Sequence, residues 1–106
     1  MATLPPSGMS RALLEAHIRS VAADSGRVYY TRHALARMKQ RHLTREIVQS
    51  VLREGRLRWP AEPNPSKGSL ECRMERHVAG SDVGVVVAVS DDDPGLVVIT
   101  AMTTGN

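Results

Sequence analysis

The stretch TRHALARMKQRHLTREIVQSVLREG, residues 31 to 55, decides the helical part of the fold. Thr31 and Thr44 are each suited to cap the first turn of a helix. Apolar residues recur at helical spacing after each of them, which predicts helices from Arg32 to His42 and from Arg45 to Glu54. Gly55 follows where the end of a helix favours a left-handed residue. The two apolar stripes are Ala34, Leu35 and Met38, and then Ile47, Val48, Val51 and Leu52.

The residues before this stretch predict one more helix and a short extended segment. Ser10 is a plausible helix cap, and Leu14, Ile18 and Val21 recur at helical spacing after it. Ser25-Gly26 ends that helix, and residues 27 to 30 are extended. We expect residues 1 to 9, with their prolines and glycine, to form a flexible tail.

After Gly55 the pattern changes to a period of two, which is typical of strands. Arg56 to Trp59 is a short strand, and the proline-rich residues 60 to 68 form a loop. Three further strands cover residues 70 to 78, 83 to 89 and 96 to 102. Short turns between sequential strands favour antiparallel pairing. The fold class is therefore α+β, with N-terminal helices followed by an antiparallel sheet of three to four strands, in a single domain over residues 10 to 106.

The last strand is apolar on both of its faces. Strict alternation places Val97, Ile99 and Ala101 opposite Leu96, Val98 and Thr100. If helices cover one face of the sheet, the other face also needs a cover. That cover is either the first helix or a second subunit, in a homodimer through the second sheet face.

Composition limits the class of protein, and charge limits its partners. The 106 residues are 42% hydrophobic and 24% charged, which excludes wholesale disorder, and the absence of Phe means an aliphatic core. The net charge of +3 divides into +7 over residues 1 to 60 (11 Lys/Arg, 4 Asp/Glu) and −4 over residues 61 to 106 (3 Lys/Arg, 7 Asp/Glu). Such a basic half suits nucleic acid, an acidic protein or an anionic surface, although a solvated helix face is commoner.

Cysteine usage and hydropathy indicate the compartment. Cys72 is the only cysteine, so no internal disulfide can form, which favours a cytoplasmic protein. The first ten residues lack the features of a signal peptide, and no apolar run approaches the ~18 residues that span a bilayer. We therefore expect no membrane partner. No histidine or cysteine spacing matches a metal motif, so no metal or other cofactor is predicted.

One short constellation carries the chemical prediction. His33, Arg37 and Arg41 are four residues apart, so a helix places them along one face. Arginine forks match phosphate oxygens, and an imidazole can move protons near neutral pH. A solvated helix face is the plainer interpretation. If the polar face of the strand over residues 70 to 78 meets this helix, Glu71 or Glu75 orients His33 or neutralises the arginines, although a solvated sheet face with cross-strand ion pairs is commoner. The flanking cations that would extend contacts to nucleic acid are Arg32, Lys39, Arg45, Arg56 and Arg58.

The segments Tyr30-Thr31-Arg32-His33-Ala34 and Arg37-Met38, with Arg41 and the late Val97-Val98-Ile99-Thr100, resemble the family catalogued as domain of unknown function 4258. The resemblance covers about residues 28 to 102. Two positions depart from the family pattern: His42-Leu43 replace a usual Gly and Ile, and no aromatic residue follows Thr100. The resemblance implies a small α+β domain similar in outline to the RelE and BrnT toxins, bacterial ribonucleases that pair with antitoxins. It also implies His33, Arg37, Arg41 and Thr100 as site residues.

Two functional hypotheses follow. In the first, the protein is a metal-independent endoribonuclease of toxin type. Arg37 and Arg41 hold the scissile phosphate, His33 is the general acid or base, and the RNA 2′-hydroxyl is the nucleophile. In the second, the same basic face is a non-catalytic binding module for nucleic acid or for an acidic protein. RNA and an antitoxin-like protein are accordingly the expected partners.

Overall fold

Three α-helices begin where the sequence supplies a hydroxyl cap. The computed structural model describes residues 4–93 and 95–104. In it α1 spans Arg11–Ala22, α2 spans Arg32–Gln40 and α3 spans Arg45–Glu54. The hydroxyls of Ser10, Thr31 and Thr44 each accept a hydrogen bond from the backbone N–H three residues on, which confirms the predicted helix starts. None of the helices in the described part of the chain is long and apolar enough to cross a membrane.

The residues before α1 are held against the body of the protein. Pro6–Gly8 forms a single 3-10 turn, and Pro6 is buried. Ser7 donates from its backbone N–H to Asp91 Oδ1 at 3.0 Å and from its hydroxyl to Asp91 Oδ2 at 2.6 Å. These hydrogen bonds lower the pKa of Asp91. The predicted flexible tail therefore does not describe residues 4 to 9, and residues 1 to 3 lie outside the described residues.

The sheet has five strands and is mixed. The strands are β1 (Val28–Tyr30), β2 (Arg56–Asn64), β3 (Ser69–Val78), β4 (Ser81–Ser90) and β5 (Leu96–Thr103), in the spatial order β1-β5-β4-β3-β2. The chain from β2 to β5 is an antiparallel meander, as predicted. The predicted all-antiparallel sheet of three to four strands is wrong in one respect: β1 joins as a fifth strand, parallel to β5, with Tyr29 opposite Val97. Such a pairing needs a long connection, and α2, α3 and the meander supply it.

The edge strand β2 continues through residues that were predicted to form a loop. Its pairing with β3 is interrupted between Arg58 and Glu62 and resumes up to Asn64. Prolines are tolerated here because an edge strand needs hydrogen bonds on one side only. Side chains of α1 satisfy part of the other side. Leu57 N–H donates to Glu15 Oε2 at 2.8 Å, and Arg19 donates to the carbonyl of Gly55 at 2.6 and 3.0 Å.

One face of the sheet carries the core. The inner-face residues Cys72, Met74, Val85, Val87 and Val98 are fully buried. They form one cluster with Leu14 and Ile18 of α1, Ala34 and Met38 of α2, and Val48, Val51 and Leu52 of α3. Residues on the outer face, such as Val86, Ala88 and Val97, are half-buried and do not belong to this cluster. The first helix therefore packs on the inner face. The predicted alternative in which this helix covers the second face of the sheet is wrong.

A bulge in β5 reverses the predicted facing of Thr100. Val98 pairs with Val87 and Thr100 pairs with Val86, so Ile99 is an extra residue between two paired positions. Paired residues of antiparallel strands share a face. Thr100 therefore lies on the outer face with Val97, and Ala101 is buried on the inner face. The strict alternation predicted for this strand is wrong beyond Val98.

Gly55 terminates α3 for a reason other than the predicted one. Its φ is −77° and its ψ is 179°, so the residue is extended and not left-handed. A Cβ at this position would lie 2.4 Å from the carbonyl oxygen of Val51 and 2.8 Å from that of Glu75. The close approach of α3 to β3 therefore requires glycine here.

Candidate functional site

The first turn of α2 is fixed to β5. Thr31 N–H donates to the carbonyl of Val98 at 3.1 Å, and the Thr31 hydroxyl donates to the carbonyl of Ile99 at 3.3 Å. The same hydroxyl accepts from Ala34 N–H at 3.0 Å. These bonds hold the start of α2 beside the bulge that precedes Thr100.

His33 and Arg37 are in contact on the side of α2 that faces away from the core. Burial of Ala34 and Met38 leaves His33 exposed and Arg37 half-buried. Arg37 Nε donates to His33 Nε2 at 3.5 Å, and Arg37 Nη1 donates to Gln40 Oε1 at 3.2 Å. Only a neutral imidazole nitrogen can accept such a hydrogen bond. Gln40 was not predicted as a site residue, although its i,i+3 spacing from Arg37 places it within reach.

Arg41 follows the helix instead of continuing it. α2 ends at Gln40, two residues before the predicted end, and Arg41 is the C-cap, with φ −105° and ψ 8°. His42 takes the left-handed conformation at φ 56°. Leu43 N–H donates to the carbonyl of Met38 at 2.8 Å, and His42 N–H donates to that of Lys39 at 3.3 Å. These two bonds define a Schellman motif, and it stops the helix before His42.

The surface around α2 is basic. The sequence from Ser25 to Arg45 contains six Lys or Arg residues and no Asp or Glu. Arg45 lies over the Tyr30 ring with its guanidinium carbon 4.7 Å from the centroid, which places the start of α3 beside the start of α2. No ion pair joins Arg32, Lys39 or Arg41 to a carboxylate in the described residues. We call His33, Arg37 and Arg41 the basic row, and the row with Arg32, Lys39 and Arg45 the basic surface.

Two predicted residues lie apart from the basic row, and a third makes no hydrogen bond to it in the described part of the chain. Thr100 is on the outer sheet face, and no hydrogen bond in the described part of the chain joins it to His33, Arg37 or Arg41. Arg56 and Arg58 are on β2, at the sheet edge opposite β1. Arg58 also lies 3.9 Å from a Glu75 carboxylate oxygen. The structure therefore places Arg32, Lys39 and Arg45 near the row, and Arg56 and Arg58 elsewhere.

The acidic residues of β3 pair within the sheet. Glu75 lies 3.0 Å from Arg73 Nε, and Glu71 accepts from Asn64 Nδ2 at 3.2 Å. His77 and Asp82 form a cross-strand pair at 2.8 Å. Glu71 and Glu75 are thus engaged by neighbouring strands and do not orient His33.

Cys72 is a core residue. It is fully buried, and burial raises the pKa of its thiol to about 12, so it stays protonated. No group of three or more potential metal-ligating side chains occurs in residues 4–93 and 95–104.

The geometry defines the class of protein: a short α+β domain in which a basic helix is anchored on a mixed sheet. The chain belongs to the family described as "Domain of unknown function (DUF4258)", whose model matches residues 30–103. That range contains the whole basic surface and all five strands except the first two residues of β1. No curated protein and no solved structure matches the chain significantly.

Proposed function

We propose that the chain binds RNA through the basic surface, and that the basic row contacts its phosphodiester backbone. The observation that carries the proposal is the charge of α2, because Arg32 and Lys39 are exposed, Arg37 is half-buried, and no carboxylate in residues 4–93 and 95–104 forms an ion pair with them. A solvated helix face in a stable protein normally mixes both signs of charge. Arg37 already contacts two neutral groups, His33 and Gln40, so a phosphate would be its first anionic partner.

The shape of the site favours binding over catalysis as the first function. The basic row lies on the convex side of a helix, and it lines none of five principal clefts formed by residues 4–93 and 95–104. Backbone binding tolerates such a surface, because phosphate contacts are electrostatic and independent of sequence. Small-molecule and catalytic sites are usually concave.

RNA cleavage is the second candidate, and one contact favours it. A neutral His33 Nε2 beside a guanidinium can accept the proton of an RNA 2′-hydroxyl as that oxygen attacks the phosphorus. The bond from phosphorus to the 5′-oxygen then breaks, and that oxygen takes a proton from solvent. The products are a 2′,3′-cyclic phosphate and a 5′-hydroxyl. Arg37 would stabilise the charge on the phosphorane oxygens. In that case the protein is a toxin-type endoribonuclease, and an acidic antitoxin-like protein is the partner that would bind over α2.

Fluorescence anisotropy of a labelled RNA, measured over a range of salt concentrations, tests the binding proposal. We expect Arg37→Gln to weaken binding and to reduce the slope of log K against log salt by about one, because one phosphate contact is lost. Arg53→Gln is the matched control. It removes the same charge from an exposed position at the far end of α3, and it should leave the slope unchanged. Equal effects of the two substitutions would contradict the assignment to the basic row.

The same RNA, end-labelled and incubated in EDTA, tests cleavage. Cleavage by the wild-type protein, with His33→Gln binding the RNA without cutting it, would support the second candidate, since glutamine keeps a polar group but cannot move the proton. RNA that stays intact with a folded wild-type protein would eliminate the second candidate and leave the first.

A further inference from the structure

A cleft of about 550 Å³ lies on the outer sheet face, away from the basic row. It forms where β2 leaves its register between Arg58 and Glu62, and this irregularity brings Trp59 to the surface with 49% of its area exposed. Irregularities of this kind re-aim side chains at sheet edges. The cleft is lined by Arg58, Trp59, Pro60, Glu62, Glu71, Arg73 and Val86.

We propose that this cleft binds a guanine base of the RNA, stacked on Trp59. The inference rests on the proposed RNA binding through α2. An exposed indole beside guanidinium groups is the arrangement that proteins use to stack single-stranded bases. The half-buried Val86 supplies an apolar floor.

The cleft contains both arginine donors and a carboxylate acceptor, and this combination favours guanine over the other bases. Guanine offers the acceptors O6 and N7, for which arginine is the commonest specific partner, and N–H donors that a carboxylate can accept. Arg73 is already positioned, because its Nε lies 3.0 Å from Glu75 and its side chain crosses the surface of Gly84. The Glu62 side chain makes no hydrogen bond or ion pair in the described part of the chain, so its carboxylate is available as an acceptor.

A second cleft links this position to α2. It has a volume of about 340 Å³, includes Glu71 as well, and extends over Ala88, Val97 and Ile99 to Thr31, the cap of α2. The two clefts share Glu71 and therefore lie side by side on the outer face. Strands pack about 4.8 Å apart, so the distance from β5 to β2 is about 14 Å, a span suited to a short single-stranded segment.

Trp59 is the only tryptophan, so its fluorescence reports directly on the cleft. Guanosine monophosphate is titrated into the intact protein beside the adenosine, cytidine and uridine monophosphates and ribose 5-phosphate. We expect saturable quenching by the guanine nucleotide, with an affinity at least tenfold above that for uridine monophosphate, and none by ribose 5-phosphate. Glu62→Gln should remove most of the preference for guanine over adenine, whereas Leu13→Ala, an exposed apolar position on α1, should change nothing.

Labelled RNA separates the two proposals. Trp59→Ala should weaken binding of a guanine-containing oligonucleotide about tenfold and leave a guanine-free oligonucleotide unaffected, and circular dichroism checks the fold of the variant. RNA binding that depends on Arg37, together with no saturable quenching by any nucleotide, overturns the base site and leaves the proposed function standing. Saturable guanine quenching without RNA binding overturns the proposed function and supports the base site.

Discussion

Replacing Gly55 by alanine tests the packing of α3 against β3. The added Cβ would lie 2.4 Å from one backbone oxygen and 2.8 Å from another, and neither can rotate away as a flexible side chain would. The backbone dihedrals of Gly55 suit alanine, so the expected effect is steric and not conformational. We expect the end of α3 to move away from β3, which also disturbs the two hydrogen bonds from Arg19 to the Gly55 carbonyl.

The magnitude follows from three contributions. Overpacking costs about 1–3 kcal/mol. Weakening the charge-assisted bonds from Arg19 costs about 1–2 kcal/mol. The lower conformational entropy of alanine in the unfolded chain offsets about 0.4–1 kcal/mol of this destabilisation. The net loss is therefore about 1–5 kcal/mol, a large part of the ~5–15 kcal/mol stability of a typical domain.

Urea unfolding of the wild type and of Gly55→Ala at the same pH measures this loss of stability. Gly55→Ala should lower the midpoint with little change in slope. Gly8→Ala is the matched control, because its Cβ would meet side-chain atoms no closer than 3.9 Å. It should stay within about 0.5 kcal/mol of the wild type, as surface substitutions usually do. If Gly55→Ala also stays within that range, the junction between helix and sheet relaxes at no cost and the close-approach argument is wrong.

Three further predictions concern single residues. His42→Gly should raise the free energy of unfolding by about 0.5–1 kcal/mol, measured in urea. Glycine removes the cost of about 1–2 kcal/mol that a left-handed non-glycine residue carries, but its greater freedom in the unfolded chain cancels about 0.5–1 kcal/mol of this stabilisation. Ala79→Asn should raise the urea midpoint similarly, because Ala79 and Gly80 have φ 52° and 80° in the two-residue turn between β3 and β4, and asparagine is favoured there. Burial, and then the charge of Arg27, lower the pKa of His17, so stability should be complete above pH 6.5 and fall as the pH drops from 6.5 towards the folded pKa. His17→Gln should flatten that part of a plot of urea midpoint against pH, and an unchanged slope would exclude His17 as its source.

The helices could be predicted because their determinants are local. A hydroxyl cap and an apolar stripe lie within a dozen residues of each other, and the predicted caps of α1, α2 and α3 are confirmed. The predicted stripe of α2 is wrong at Leu35, which is 38% exposed, because only Ala34 and Met38 of that helix are buried. The end of α2 could not be located as well. His42 is not a glycine, so nothing in its residue type marks the helix end, and the end is fixed by the hydrogen bond from Leu43 N–H to the Met38 carbonyl and by the burial of Leu43 in the core.

The errors in the sheet have non-local causes. The pairing of β1 with β5 joins residues about 70 positions apart, and no periodicity in either segment indicates it. The extra residue at Ile99 is equally invisible, because an alternating pattern counts residues and not hydrogen bonds. A single bulge therefore moved Thr100 to the other face and altered its relation to the basic row.

The predictions about the candidate site also differ according to whether their causes are local or non-local. His33 and Arg37 were predicted as neighbours because helix geometry alone brings i and i+4 together, and the structure shows them in contact. The separation of Arg56 and Arg58 from that row depends on the strand order, which the sequence does not reveal. Charge counted along the chain thus overstated the extent of the basic surface.

The family match also leaves out a helix whose residues belong to the core. Residues 30–103 include the basic surface but exclude α1. Leu14 and Ile18 of α1 are fully buried in the core, and Glu15 and Arg19 hydrogen-bond the backbone at the start of β2. Removing α1 would expose an apolar face and leave these edge groups unpaired, which favours aggregation. The matched region therefore carries the proposed site, whereas the stable unit that presents this site includes the preceding helix.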